Sequence, residues 1–377
     1  MDATQRENLL LASYSMRSVD SAGREHEEAG HPYRSPYQRD RDRVVHSAAY
    51  RRLAYKTQVF TGSLGDYHRT RLTHTQEVAS VARTVARALA LNEDLVEALA
   101  LLHDIGHPPF GHAGEELLNE RLHEHGGFNH NAQAVRIVTR LEQRYAGLAG
   151  LNLSREVLDG QQRRANKRAV VGDHSSDPPA SPLLETQTVD AADSIAYDAH
   201  DADDALELGM IDLGELDEVP LWAEAVRRVR GRYAALADDD LRRATIHELL
   251  DWQVSDLIAS TRALLMERRI GSVEEVRRAA VLVIHSDELA EQKRRLESFL
   301  FTRVYRHPLV LAHRLEATAA LGEMFDRLLA NGGNVLQESP YAEVAREDSP
   351  QRAVADYVAS VTDRFALEAG RQSLAGG

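Results

Sequence analysis

The chain contains no cysteine, so disulfides and thiolate metal ligands are excluded and any bound metal must be held by nitrogen and oxygen. That absence suits a reducing cytoplasm, the location expected for the protein. Aromatic residues are scarce, 6% of 377. Leucine, alanine and valine must therefore build most of the interior, a composition that leans helical. No apolar run reaches the roughly 18 residues that a membrane span needs. The N-terminus lacks the basic-then-apolar layout of a secretory leader. A basic excess is missing too: the formal net charge is −14, which argues against the whole chain coating nucleic acid. No stretch alternates as a strand would, and the fold class expected is all-α.

What is present is helical periodicity. It marks residues 40–53 (Val44, Val45, Ala48, Ala49, Leu53) and 73–91 (Val78, Val81, Val85, Leu89), then a run capped by Asn92 that ends at His103. Residues 115–124, 129–145, 183–208, 221–236, 241–266, 287–305 and 309–330 follow, and Ser349-Pro350 opens a last helix to about residue 367. Gly62 and Gly65 sit in a loop leading to Arg71. Three divisions are expected: residues 1–37 as an irregular arm with one helical turn near residue 10, 38–210 as a catalytic core, and 211–377 as further helices packed on it. Within the core, residues 160–182, with Pro178, Pro179 and Pro182, read as a solvated polar loop.

The chemistry concentrates in His103-Asp-Ile-Gly-His-Pro-Pro-Phe-Gly-His-Ala-Gly-Glu115. An apolar helix delivers His103 and Asp104 at its end. Pro108 and Pro109 then forbid further helix, because proline lacks the amide donor. Such a density of imidazoles and acids serves metal ligation or proton transfer better than it serves a structural loop. Metal ligands must converge from separate elements, and His74, His103 with Asp104, and Asp193 are candidates from three helices. Two imidazoles and two carboxylates suit Mn, Fe, Co, Ni or Zn better than Mg, which prefers an all-oxygen shell. Asp193, Tyr197 and Asp201 fall at i, i+4 and i+8, so one helix face is polar and is expected to line a cavity.

Several long segments carry a resemblance. Arg51-Arg-Leu-Ala-Tyr-Lys-Thr-Gln-Val-Phe60, Asp66-Tyr-His-Arg-Thr-Arg-Leu-Thr-His74, the 103–115 stretch, Gly126-Gly-Phe-Asn-His-Asn-Ala-Gln133, Asp193-Ser-Ile-Ala-Tyr-Asp-Ala-His-Asp201 and Tyr357-Val-Ala-Ser-Val-Thr-Asp-Arg-Phe365 are similar to the HD-domain deoxynucleoside triphosphate triphosphohydrolases, in particular the deoxyguanosinetriphosphate triphosphohydrolase-like group. The likeness spans about residues 38–367. It implies an HD-domain helical bundle with additional C-terminal helices, and hydrolysis of dGTP or several dNTPs to deoxynucleoside and inorganic triphosphate. It also implies one divalent metal (Mn, Mg, Fe, Co, Ni or Zn) on His74, His103, Asp104 and Asp193, and His112 and Glu115 as an acid/base pair supported by His130. Arg71 and Tyr197 would contact phosphates, and Gln58 and Asp201 the sugar. The implied partners are the dNTP substrate, a regulatory dNTP, weakly bound single-stranded nucleic acid and other copies in a homo-oligomer.

Two rival readings stand beside this one. The first is an HD phosphodiesterase or nucleotidase acting on monophosphates or cyclic nucleotides. The second is a nucleotide- or single-strand-binding protein with little turnover. His107, His123 and His125 read as structural or exposed, and His200 carries no assignment.

Overall fold

Caps and prolines set where the helices begin. The structure, a computed structural model, describes residues 3–58, 69–166, 180–233, 235–331 and 346–374. The loop with Gly62 and Gly65 and the segment 167–179 lie outside the described residues. After α1 (Ala3–Leu10), helix α2 (Pro36–Val45) starts at a capping box between Ser35 and Gln38, with Pro36 in the first turn. That cap places its start ahead of residue 40, where the apolar spacing alone put it. A short α3 (Ala48–Arg52) leads on to α4 (Arg71–Ala88), which Thr70 caps, and α5 (Glu93–Leu102), which Asn92 caps.

The core sits where α4, α5 and the long α9 (Leu184–Glu207) pack on one another. Leu95, Val96, Leu102, Val78, Ala82, Val85, Ile195 and Ala196 are fully buried there. Burying each large aliphatic side chain contributes about 1.5–3 kcal/mol. Helices α6 (Gly111–Arg121), α7 (His130–Arg136) and α8 (Arg155–Asn166) surround one end of this trio. The α7 backbone passes into a π-helical turn at Ile137–Leu141 and stops short of residue 145.

Beyond α9 come α10 (Leu213–Leu216), α11 (Pro220–Arg232), α12 (Asp238–Glu267), α13 (Val273–Arg278) and α14 (Asp287–Arg303). A second apolar cluster, around Trp222, Leu249, Leu296 and Leu300, joins α11, α12 and α14 to the end of α9. A third unites α6 with α15 (Pro308–Ala330), α16 (Pro350–Ser360) and α17 (Asp363–Leu374) through Leu118, Leu321, Phe325, Val354 and Val358. No strand forms among the described residues, only isolated bridges such as Thr57 with Thr70. The fold is all-α, as the composition indicated, and no helix among the described residues is long and apolar enough to cross a membrane.

Two expectations are corrected. Residues 160–166 are not loop but the second half of α8. Val157, Gly160 and Gln161 turn inward, and Gly160 lets α8 approach so closely that a Cβ would lie 2.6 Å from Leu99 Cδ2 and 2.9 Å from Thr186 Oγ1. A helix that packs through a glycine and a glutamine shows no apolar stripe. The N-terminal arm likewise begins with two turns of helix and is tied down by carboxylates. Glu7 accepts from Ser18 and Asn92, Glu185 from Ser15 and Met16, and Glu156 from Ser21 and Ala22. These polar anchors leave no periodic trace.

Candidate active site

The α5 helix ends at Leu102, and the chain then turns through His103-Asp104 and the Pro108-Pro109 pair into α6. Phe110 and Gly111 both adopt left-handed backbone angles, φ +63° and +58°. At Gly111 a Cβ would also lie 2.4 Å from Arg71 Nη2, so the guanidinium would have to move to admit one. This reversal puts His112 and Glu115 on the first turn and a half of α6, facing His130 at the start of α7. Helix α9 brings Asp190, Asp193 and Tyr197 from the other side; α8 contributes Arg164, and α14, α15 and the turn between them contribute Phe301, Tyr305, Val310 and Arg314. Together they line a cavity of about 920 Å³.

On one wall, ligand atoms of His74, His103 and Asp193 all lie within 4.8 Å of one another. His74 Nε2 is 3.2 Å from Asp193 Oδ1, and His103 Nε2 is 3.7 Å from the same oxygen and 3.5 Å from Asp104 Oδ1. His103 Nδ1 donates to the Ala100 carbonyl at 2.6 Å. Its Nε2 therefore carries the lone pair, and it is buried with no hydrogen-bond partner. An imidazole lone pair facing two carboxylates is the donor set of a divalent cation, so these residues fit a metal. Burial raises the pKa of Asp193, but His103, His74 and Arg164 outweigh it and hold the carboxyl well below its usual range. Asp104 is likewise held low despite burial, by His107, His103 and Arg71. Both are anionic at neutral pH. Asp104 stands at the edge of the group: Oδ2 accepts from Arg71 at 2.8 Å and Oδ1 lies 3.1 Å from His107 Nδ1.

On the other wall, Glu115 sits between two imidazoles. Its Oε2 is 3.0 Å from His112 Nδ1 and its Oε1 is 2.9 Å from His130 Nδ1. Burial alone would raise the Glu115 pKa, but the hydrogen bonds from His112 and His130 outweigh it and hold the carboxylate ionised. The His112 side chain is 62% exposed, whereas Glu115 is buried beneath it.

Of the residues assigned to substrate, Arg71 is buried, with Nη2 donating to the Gln58 carbonyl at 3.1 Å. Gln58 and Tyr197 line the cavity. Asp201 does not reach the cavity wall. It is 1% exposed, and the Tyr305 hydroxyl, which donates to it, stands between it and the space. Burial pushes the Asp201 carboxyl up to about 7, against the Tyr305 hydrogen bond that lowers it.

Four residues in or beside the cavity escaped the sequence reading. Arg164 donates to Asp190 at 2.6 Å and to Asp193 at 2.8 Å. His107, read as structural or exposed, is buried in the cavity wall and stacks on His130 at 3.8 Å. Its spacing of three from Asp104 was a usable signal. Tyr305 and Asn131 had no local signal. His200 is buried against Glu77 at 3.2 Å; burial first, then Arg69, lowers its pKa to about 3.

A helical bundle carrying a His…His-Asp…Asp set beside the His112–Glu115–His130 cluster has the make-up of the HD phosphohydrolase class, and the family matches bear this out. The HD domain model matches residues 71–198, and a phosphohydrolase-associated domain matches 283–372. The chain is 42% identical over 369 residues to a deoxyguanosinetriphosphate triphosphohydrolase-like protein of Ralstonia pickettii (strain 12J), covering 97% of this chain and 95% of that one. Proteins of the same description from Azoarcus sp. (strain BH72) and Geobacter sulfurreducens are 44% and 43% identical, each over at least nine-tenths of both chains. The chain belongs to the deoxyguanosinetriphosphate triphosphohydrolase-like family.

Proposed function

We propose that the protein hydrolyses deoxynucleoside triphosphates, dGTP or several of them, to deoxynucleoside and inorganic triphosphate with one divalent metal per site. The observation that carries this reading is the pairing, across one cavity of about 920 Å³, of a cation-binding donor set with a carboxylate-held histidine. His74, His103, Asp104 and Asp193 would hold the metal. When bound, it would polarise a phosphoryl oxygen and make water acidic enough to attack near neutral pH. The preference for Mn, Co or another borderline ion over Mg rests on the two imidazoles.

The protein's own groups supply the rest. Arg71 and Arg164 place two guanidiniums in the cavity wall, where planar donors suit phosphate oxygens. Glu115 accepts the His112 Nδ1 hydrogen, which orients the ring and stabilises its protonated form. His112 Nε2 would then give its proton to the departing 5′-oxygen, and a positioned acid of this kind contributes about 10²–10⁴-fold. Gln58, Tyr197 and the Tyr305–Asp201 pair would bound the end of the cavity that takes the deoxyribose.

The test is product analysis with each dNTP across Mg, Mn and Co. Inorganic triphosphate and deoxynucleoside in equal amounts are expected with at least one pairing. Release of orthophosphate in place of triphosphate would favour the nucleotidase reading, and no turnover on any pairing would overturn dNTP hydrolysis in favour of a phosphodiesterase or a binding protein.

A further inference from the structure

Asn131 takes no part in the chemistry above, yet its amide is constrained from both sides. Its Oδ1 lies 3.1 Å from Gln161 Nε2 and 3.5 Å from Arg164 Nε. An arginine Nε always carries hydrogen and cannot accept, so the oxygen must face α8 and the NH₂ must face away. That NH₂ lies 2.9 Å from His130 Nε2, which must therefore accept. On the opposite edge of the ring, His130 Nδ1 lies 2.9 Å from Glu115 Oε1, and the His130 backbone N–H donates to the same oxygen at 3.0 Å. An ionised carboxylate only accepts, so Nδ1 carries the hydrogen. Both edges demand the same species: a neutral imidazole protonated on Nδ1.

The remaining neighbours agree. His107 stacks face to face on His130 with rings 3.8 Å apart and 20° from parallel. The Arg164 guanidinium, whose Nε lies 3.5 Å from Asn131 Oδ1, disfavours a second positive charge close by. His112 differs: its Nδ1 is also held by Glu115, at 3.0 Å, but the ring is largely exposed on the cavity. Arg164 meanwhile grips Asp190 and Asp193, so one side chain of α8 fixes both the amide behind His130 and a carboxylate of the opposite wall.

We propose that Asn131, held by Gln161 and Arg164, locks His130 as the neutral Nδ1–H tautomer, so that His130 is a positioning residue for Glu115 and His112 is the imidazole of the pair that opens on the cavity. The role of His112 as proton donor rests on the function proposed above; the tautomer does not.

The experiment uses the full-length protein labelled with ¹⁵N-histidine, with His130 signals assigned by loss in a His130→Gln variant. Long-range ¹H–¹⁵N correlation is followed across the imidazole range, about pH 5 to 8. The expected result is one His130 nitrogen protonated (Nδ1) and one bare (Nε2) throughout, with no titration. In the isosteric Asn131→Asp variant a carboxylate replaces the donor, and His130 Nε2 should become protonated. A His130 ring that titrates within this range in the unaltered protein, or that carries hydrogen on Nε2, overturns the lock. So does an Asn131→Asp variant whose His130 spectrum is unchanged. With dGTP as substrate, Asn131→Asp should also displace the kcat/KM pH profile by about one unit; a change in kcat alone with the profile unmoved would overturn the positioning role. If no dNTP turns over while the His130 spectrum is as expected, the hydrolysis reading fails and the lock stands.

Discussion

The two walls of the cavity are built on opposite electrostatic plans. Around His74, His103 and Asp193, ligand atoms crowd within 4.8 Å of one another, and the His103 Nε2 lone pair is buried without a hydrogen-bond partner. Around Glu115 every contact is complementary: two imidazole edges, one backbone N–H and the Asn129 amide point at one carboxylate. On the proposed function, a cation would complete the first wall, whereas the second is already satisfied by the protein's own hydrogen bonds. The two should therefore respond to different perturbations, chelation on one side and proton chemistry on the other.

The largest effect is expected from breaking the first wall. Asp193→Ala should remove several kcal/mol of transition-state stabilisation, about four orders of magnitude in turnover. Mn²⁺ binding by titration calorimetry should be lost with it. An Asp193→Ala variant that still binds Mn²⁺ like the unaltered protein would refute this placement of the metal. Next comes the second wall: His112→Gln should lower kcat about 10²–10³-fold while Mn²⁺ binding stays intact, which separates the walls. A metal-binding defect in that variant would show that they are one unit.

Stability gives a further contrast. At a hundredfold excess over its Kd, Mn²⁺ should stabilise the native state by about 2.7 kcal/mol, a rise of about 4 °C in Tm. Asp193→Ala should show no such rise.

Asp201 predicts a pH dependence with a definite sign. Burial, opposed by the Tyr305 hydrogen bond, raises its native pKa to about 7, whereas an unfolded aspartate titrates near ~3.9. Between those values the native state holds a proton that the unfolded chain has lost. The stabilisation tied to it is complete below about pH 4 and gone above about pH 7. Denaturant unfolding of Asp201→Asn should therefore compare increasingly well with the unaltered protein as pH rises from 4 to 8; a constant difference would show that Asp201 titrates normally. The smallest effect is expected at the cavity rim. The exposed Glu116–Arg314 ion pair should contribute less than about 1 kcal/mol, so Arg314→Ala should barely move Tm.

How far each feature was legible follows from how local its signal is. Asn92 and the apolar spacing of α4 and α5 are short-range signals, and those helices appear where these predict; Ser349-Pro350 opens α16 as expected, but the helix ends at Ser360 instead of about residue 367 and α17 follows separately. The i, i+4, i+8 face of Asp193, Tyr197 and Asp201 was readable as polar, yet only Asp193 and Tyr197 reach the cavity. Helix α8 was misread because its inward face is Val157, Gly160 and Gln161, and a close glycine contact leaves no hydrophobic pattern.

The amino-acid order by itself determined most of the helix starts, the abrupt stop after Asp104 and the kinds of ligand available, because caps, prolines and periodicity act within a few residues. The tertiary structure alone decided that Arg164 would grip Asp193, that Gln161 and Arg164 would hold the Asn131 amide, and that Tyr305 would stand between Asp201 and the cavity. Those pairings join helices far apart in the chain, and nothing short of the packed angles between α7, α8, α9 and α14 specifies which side chains meet.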